Sequence, residues 1–103
     1  MSPRKITVTK IDSRYPQSET IYEVILTYLT AVCDIVDCNG NSCTFIESEY
    51  VPLEKMFEML QWDIPYVTVV KRGVGKYHVC LALYKMDGET FLYPVVTIRV
   101  TQA

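Results

Sequence analysis

Three of the chain's four cysteines, Cys33, Cys38 and Cys43, fall within eleven residues, and the fourth, Cys80, stands two residues after the only histidine, His78. Thiolate and imidazole are the usual zinc ligands, so a metal site is the first chemistry to weigh. The spacing opposes it. Cys-x4-Cys-x4-Cys lacks the close Cys-x2-Cys pair of zinc knuckles, and two cysteines five residues apart on one strand point to opposite faces. No metal and no other cofactor is expected. Cys38 and Cys43 bracket Asn39-Gly40-Asn41-Ser42, and across a four-residue hairpin loop they stand directly opposite one another, which permits a disulfide. Reduced, partly buried thiols are the alternative. His78 and Cys80 would lie side by side on a strand, with no third group to orient them as base and nucleophile.

Two charged groupings come next. Asp34, Asp37, Glu47 and Glu49 flank the cysteine hairpin. Paired carboxylates serve glycoside hydrolysis or bind divalent cations where a cleft holds them, which a small hairpin seldom provides. As an acidic surface they suit docking to a basic partner. Lys71-Arg72-Gly73-Val74-Gly75-Lys76 joins two β segments; its glycines would let backbone N–H groups approach phosphate, while Lys71, Arg72 and Lys76 supply charge. It is not a P-loop, because the spacing differs and a strand follows where a helix should. A plain hairpin loop is the competing reading. No triad, metal motif or cofactor fingerprint emerges, so the chain is not read as an enzyme and no catalytic residue is assigned.

The elements that must position these groups are legible in the hydrophobic period. Lys5 to Asp12 alternates as a strand does. From Ser18 the polar residues Glu19, Glu23, Thr27, Thr30 and Asp34 recur at spacings of four and three, opposite Ile21, Val24, Ile25, Tyr28, Leu29 and Val32. That is a helix with Ser18 as N-cap, although its β-branched content leaves a long strand open. Cys33 to Ser48 reads as a hairpin about Asn39-Gly40, with Ile35 and Val36 facing Phe45 and Ile46. Pro52 opens a second helix whose stripe is Leu53, Met56, Phe57 and Leu60. Strands follow at Tyr66 to Lys71, Lys76 to Lys85 and Thr90 to Val100. The expected fold is a single α+β domain of 103 residues: a mainly antiparallel five- to six-stranded sheet with two helices, in the order β-α-β-β-α-β-β-β.

A two-residue Asp87-Gly88 turn would pair Met86 with Glu89 and set the register of the last hairpin. Leu83–Leu92, Leu81–Pro94, Val79–Val96 and Tyr77–Ile98 then face the core. The other face receives Tyr84 against Phe91, Ala82 against Tyr93, Cys80 against Val95, His78 against Thr97 and Lys76 against Arg99. Pro94 marks the last strand as a sheet edge. Tyr84, Phe91, Tyr93 and Val95 thus form an aromatic interface.

The expected function is a small non-catalytic protein-interaction or inhibitor domain. It would work through the aromatic face and the acidic hairpin, with a protein partner and as a homodimer. The alternative is a single-stranded nucleic-acid-binding protein using the 71–76 loop and the sheet aromatics, which the net charge of −2 disfavours. Charge is uneven, however: residues 34–63 carry seven acids against Lys55 alone, and both ends of the chain are basic. No stretch reads as a membrane span and the N-terminus lacks a secretion-signal pattern, so a cytoplasmic location without membrane contact is expected.

Overall fold

The computed structural model describes residues 3–11 and 14–102. The elements are β1 (Arg4–Lys10), α1 (Gln17–Val32), β2 (Asp34–Asn39), β3 (Ser42–Ile46), α2 (Leu53–Asp63), β4 (Val67–Gly73), β5 (Lys76–Tyr84) and β6 (Thr90–Gln102). All six strands form one antiparallel sheet in the order β2-β3-β1-β6-β5-β4. The α+β class, the two helices and the element order are those expected from the sequence. Asp12, expected to end the first strand, lies outside the described residues.

Connectivity decides where the helices go. The chain passes from β1 through α1 to β2, skipping over β3, and from β3 through α2 to β4, skipping over β1, β6 and β5. Since every neighbouring pair is antiparallel, each crossover joins strands of the same direction. The two run toward opposite edges with opposite strand directions, so right-handed crossovers place both helices on one face. One core cluster accordingly unites Ile21, Ile25 and Leu29 of α1 with Leu53, Met56 and Leu60 of α2. The same cluster takes Ile6 and Val8 of β1, Phe45 of β3, Val79 and Leu81 of β5, and Ile98 of β6. Among the described residues no helix lies on the other face of the sheet.

Ser18 is not the cap of α1. The helix begins at Gln17, behind a Pro16 already in helical conformation, and no side chain caps it. The Ser18 N–H bonds to the Tyr15 carbonyl at 3.1 Å. Its residue is 4% exposed, and its hydroxyl has no hydrogen-bond partner among the described residues. The α2 stripe is the expected one, with Leu53, Met56, Phe57 and Leu60 all buried.

The last hairpin departs from the expected register, for a local reason. Lys85 N–H bonds the Glu89 carbonyl at 2.8 Å and Gly88 N–H bonds the Lys85 carbonyl at 3.0 Å. The loop is therefore three residues, Met86-Asp87-Gly88, with Gly88 at φ +89. Near the tip, Tyr84 faces Thr90, Leu83 faces Phe91 and Leu81 faces Tyr93. One extra residue, Val95, then bulges out of the pairing. Beyond it Val79–Val96, His78–Thr97, Tyr77–Ile98 and Lys76–Arg99 stand as expected. Because strand side chains alternate, the slip turns Phe91 and Tyr93 to the helix side and leaves Tyr84 on the other. Val95 becomes fully buried core. The four residues do not share a face.

The last strand is also not a sheet edge: β6 lies between β1 and β5. Pro94 is accommodated because β1 pairs with β6 only as far as Val96, so no strand pairs with β6 on that side at Pro94. A second bulge, at Val36, leaves Ile35 opposite Phe45 and Asp34 opposite Ile46. The true edges are β2, whose six residues are all exposed, and β4. α2 closes part of the β4 edge: Val67 N–H reaches the Ile64 carbonyl at 3.0 Å, and Val69 N–H reaches Gln61 Oε1 at 2.9 Å.

Replacing Ser18 by Ala separates the two views of that residue. Loss of a buried, unpaired hydroxyl together with Ala's higher helix propensity should raise stability by about 1 kcal/mol in urea unfolding. A loss of about 1 kcal/mol, the signature of a removed N-cap, would reinstate the capping role.

Candidate functional site

On β1, and on β5 and β6 where they pair beside it, the open face is built mainly from the polar half of the strand alternation. On β1 the inward residues are Ile6 and Val8 and the outward ones Lys5, Thr7 and Thr9. Cross-strand rows follow from the pairing: Ser42, Thr9, Thr97 and His78 in one, and Asp37, Thr44, Thr7, Arg99 and Lys76 in the next. Hydroxyls bridge the strands, Thr7 with Thr44 at 3.4 Å and Thr9 with Ser42 at 3.2 Å. Arg72 reaches across from β4, its Nε donating to His78 Nδ1 at 3.2 Å.

Lys5, Arg72, Lys76 and Arg99 thus meet at one end of this face, and none of them is ion-paired among the described residues. Arg4, Lys10 and Lys55, by contrast, each hold a carboxylate. Lys71 is separated from Arg72 and Lys76, because it pairs with Tyr77 and faces the helix side. Gly75 has a structural reason: at φ +66, a Cβ there would stand 2.3 Å from the Val100 carbonyl oxygen. Cys80 is fully buried although it shares a face with His78, and burial pushes its thiol up despite the nearby Arg72.

The helix side presents a different surface. Tyr28, Ala31, Val32, Val51, Met56 and Met59 line an apolar groove of about 150 Å³ between α1, α2 and the loop before α2. Met59 is 47% exposed, and its neighbour one turn on, Trp62, is 86% exposed. One acid bonds the groove's lining, since Tyr28 donates its hydroxyl to Asp63, and Glu58 and Glu49 stand close in the chain to Met59 and Val51, whereas Asp34 pairs with Ile46 and belongs to the open face. At the far end of the helix side Tyr15 meets Tyr93 edge-on at 4.9 Å, and Phe91 extends the row at 6.3 Å.

The four expected acids separate. Asp34 and Asp37 are exposed on β2, and Glu49 is exposed in the loop between β3 and α2. Glu47 is withdrawn from the surface: Arg4 grips it through two nitrogens, Nε at 2.6 Å and Nη2, and one of its oxygens accepts the Leu53 N–H at 3.0 Å. From the start of the loop that leads into α2 it therefore supplies the cap that the helix lacks at Pro52. The Arg4 hydrogen bond, aided by the Leu53 amide, holds the Glu47 carboxyl below the usual range, and Arg4 is in turn held more firmly protonated. Cys38 and Cys43 are joined as a disulfide across the β2–β3 pair, with Cα atoms 4.1 Å apart. Cys33 and Cys80 are free thiols.

Among the described residues no three metal-ligating side chains converge, and no helix is long and apolar enough to cross a membrane. No family model, curated protein or solved structure matches the chain. The residues sequence reasoning missed are Lys5 on the open face and the groove formed by Val32, Val51 and Met59. The pairing of Lys76 with Arg99 was legible, but Lys5 joins them only because β1 lies beside β6.

Two measurements check this site. Titration of thiols under non-reducing denaturation should find two, Cys33 and Cys80, and four after reduction; four without reductant would dismiss the bridge. Glu47 has a lowered pKa in the fold, so the stability it contributes is full above the unfolded value, about 4.3, and is lost as pH falls through the folded one. Glu47→Gln should cost about 1.5–3 kcal/mol at neutral pH, the range for a hydrogen bond to a charged group. It should also flatten the acid limb of the stability curve; an unchanged limb would assign acid sensitivity to other carboxyls.

Proposed function

We propose that the protein is a non-catalytic interaction domain whose helix side receives a basic, amphipathic segment of a protein partner. The apolar groove between α1 and α2, with Asp63 bonded to its Tyr28 and with Glu49 and Glu58 close in the chain to its Val51 and Met59, carries this reading. Such a groove suits the apolar face of a helix, with anchors spaced three and four residues apart. Its acids complement lysines and arginines on the segment's flanks and disfavour acidic competitors. Lys55, the cation of α2, is already engaged by Glu58 and does not oppose that field.

Exposed β2 extends the surface. Ile35 and Val36 are each half exposed beside Asp34 and Asp37, and the Val36 bulge and the two acids discourage indiscriminate strand pairing along this edge. An inhibitor would work by the same contact, masking a partner's basic helix. The aromatic part of the expected interface is redistributed, with Phe91 and Tyr93 in the Tyr15 row and Tyr84 alone on the open face. A second copy of this chain, the expected homodimer, is the competing occupant of the groove.

The reading is tested with a synthetic helix bearing leucines at four-residue spacing and lysines elsewhere, followed by amide shift mapping. Saturable shifts at Tyr28, Val32, Val51 and Met59, and at least a several-fold weakening by Met59→Asp, are expected, since anchor truncations cost more than about 1 kcal/mol. Absence of saturable binding would sink the proposal. So would a dimer, present at the working concentration, whose formation shifts the same residues.

A further inference from the structure

We propose that the open sheet face, at the end where Lys5, Arg72, Lys76 and Arg99 converge, binds the phosphate backbone of a double-stranded nucleic acid. This surface lies on the opposite side of the sheet from the groove and does not depend on the groove's reading.

The carrying observation is a like-charge pair. Lys76 and Arg99 stand directly opposite one another on neighbouring strands, a placement that destabilises a sheet. Lys5 is diagonal to Arg99, since β1 pairs Lys5 with Thr101 and Thr7 with Arg99. Arg72 joins through His78. No acid among the described residues pairs with any of the four. On this face the strand acids are Asp34 and Asp37 of β2, with β3 standing between them and Lys5. A run of phosphates relieves the repulsion, and Thr7, Thr97 and Thr101 beside the cations offer hydroxyl donors to phosphate oxygens.

The same geometry selects backbone over base recognition. Single-strand binders stack bases on aromatic rings set beside their cations. Here Phe91 and Tyr93 face the helix side, and Tyr84 lies eight residues along β5 from Lys76, roughly 26 Å at the rise of a strand. Among the described residues no Phe, Tyr or Trp ring stands at the cationic end, and the His78 imidazole there is engaged by Arg72, so affinity comes from phosphate density, which is highest on a duplex at one charge per about 1.7 Å. The overall charge of −2 does not oppose this. Most acids lie on the helices, the loop before α2 and the β2 edge, and at 0.1 M salt charges beyond about 10 Å are largely screened.

The test is fluorescence anisotropy of a labelled DNA duplex of about 20 base pairs and mixed sequence, titrated with the protein from about 50 to 200 mM salt. Four neutralised phosphates predict a slope of log affinity against log salt of about −3.6, and Lys76→Gln or Arg99→Gln should each reduce its magnitude by about 0.9. Lys55→Gln, on the helix side, should leave the slope unchanged. The fold provides an independent readout: each open-face substitution removes one half of a like-charge pair, so the melting temperature should hold or rise while binding falls. No binding at the lowest salt, tighter binding to the matching single strand, an equal loss in Lys55→Gln, or a fall in melting temperature with Lys76→Gln would each overturn the proposal.

Discussion

The placement of β1 in the middle of the sheet governs what the rest of the chain can do. Bonded to β3 on one side and β6 on the other, it welds the first hairpin to the last three strands. It also makes both helical connections crossovers between parallel strands, whose handedness sends α1 and α2 to the same face. The apolar side chains are then committed to one layer boundary. Ile6 and Val8 enter it while Lys5, Thr7 and Thr9 on the same seven-residue strand are left outside. A hydroxyl-rich, cationic open face is the counterpart of a one-sided core.

The Arg4–Glu47–Leu53 junction shows how that arrangement is tied at its rim. Arg4 begins β1, Glu47 follows β3 and Leu53 begins α2, so one carboxylate joins the central strand, its neighbour and the start of the second crossover. With the Glu47 side chain mostly buried, this is a hydrogen-bonded, partly desolvated pair and carries more than an exposed salt bridge would. It also removes one acid from the surface and one cation from competition with the open face. Electrostatically the sheet becomes a partition, with an acid-edged apolar groove on one side and unpaired cations on the other.

The departures in strand facing share one cause. Alternation reveals which residues of a strand share a face, but only until an unpaired residue resets the count. Met86 joins Asp87 and Gly88 in the loop as a third residue, displacing the tip by one position, and Val95 restores the register further along. Phe91, Leu92, Tyr93 and Pro94 lie between these two events, and so they exchanged faces while Lys76, His78, Thr97 and Arg99 did not. Val36 does the same to β2. A bulge carries no residue-type signature in Val or Ile, because both fit strand and bulge alike.

By itself the sequence determined the element order, the buried stripe of α2, the facing of Cys38 and Cys43 and the juxtaposition of Lys76 with Arg99. Each of these depends on periodicity or on a turn between residues close in the chain. Tertiary structure alone decided the rest: that Ser18 is buried and not a cap, that Glu47 caps a helix, that Lys5 lies beside Arg99, and that Val32, Val51 and Met59 share a groove. Those relations depend on how separate elements pack together, and they are set by which strands and helices become neighbours. Local propensity does not encode that choice; it emerges when the whole chain finds the arrangement that buries its apolar faces together.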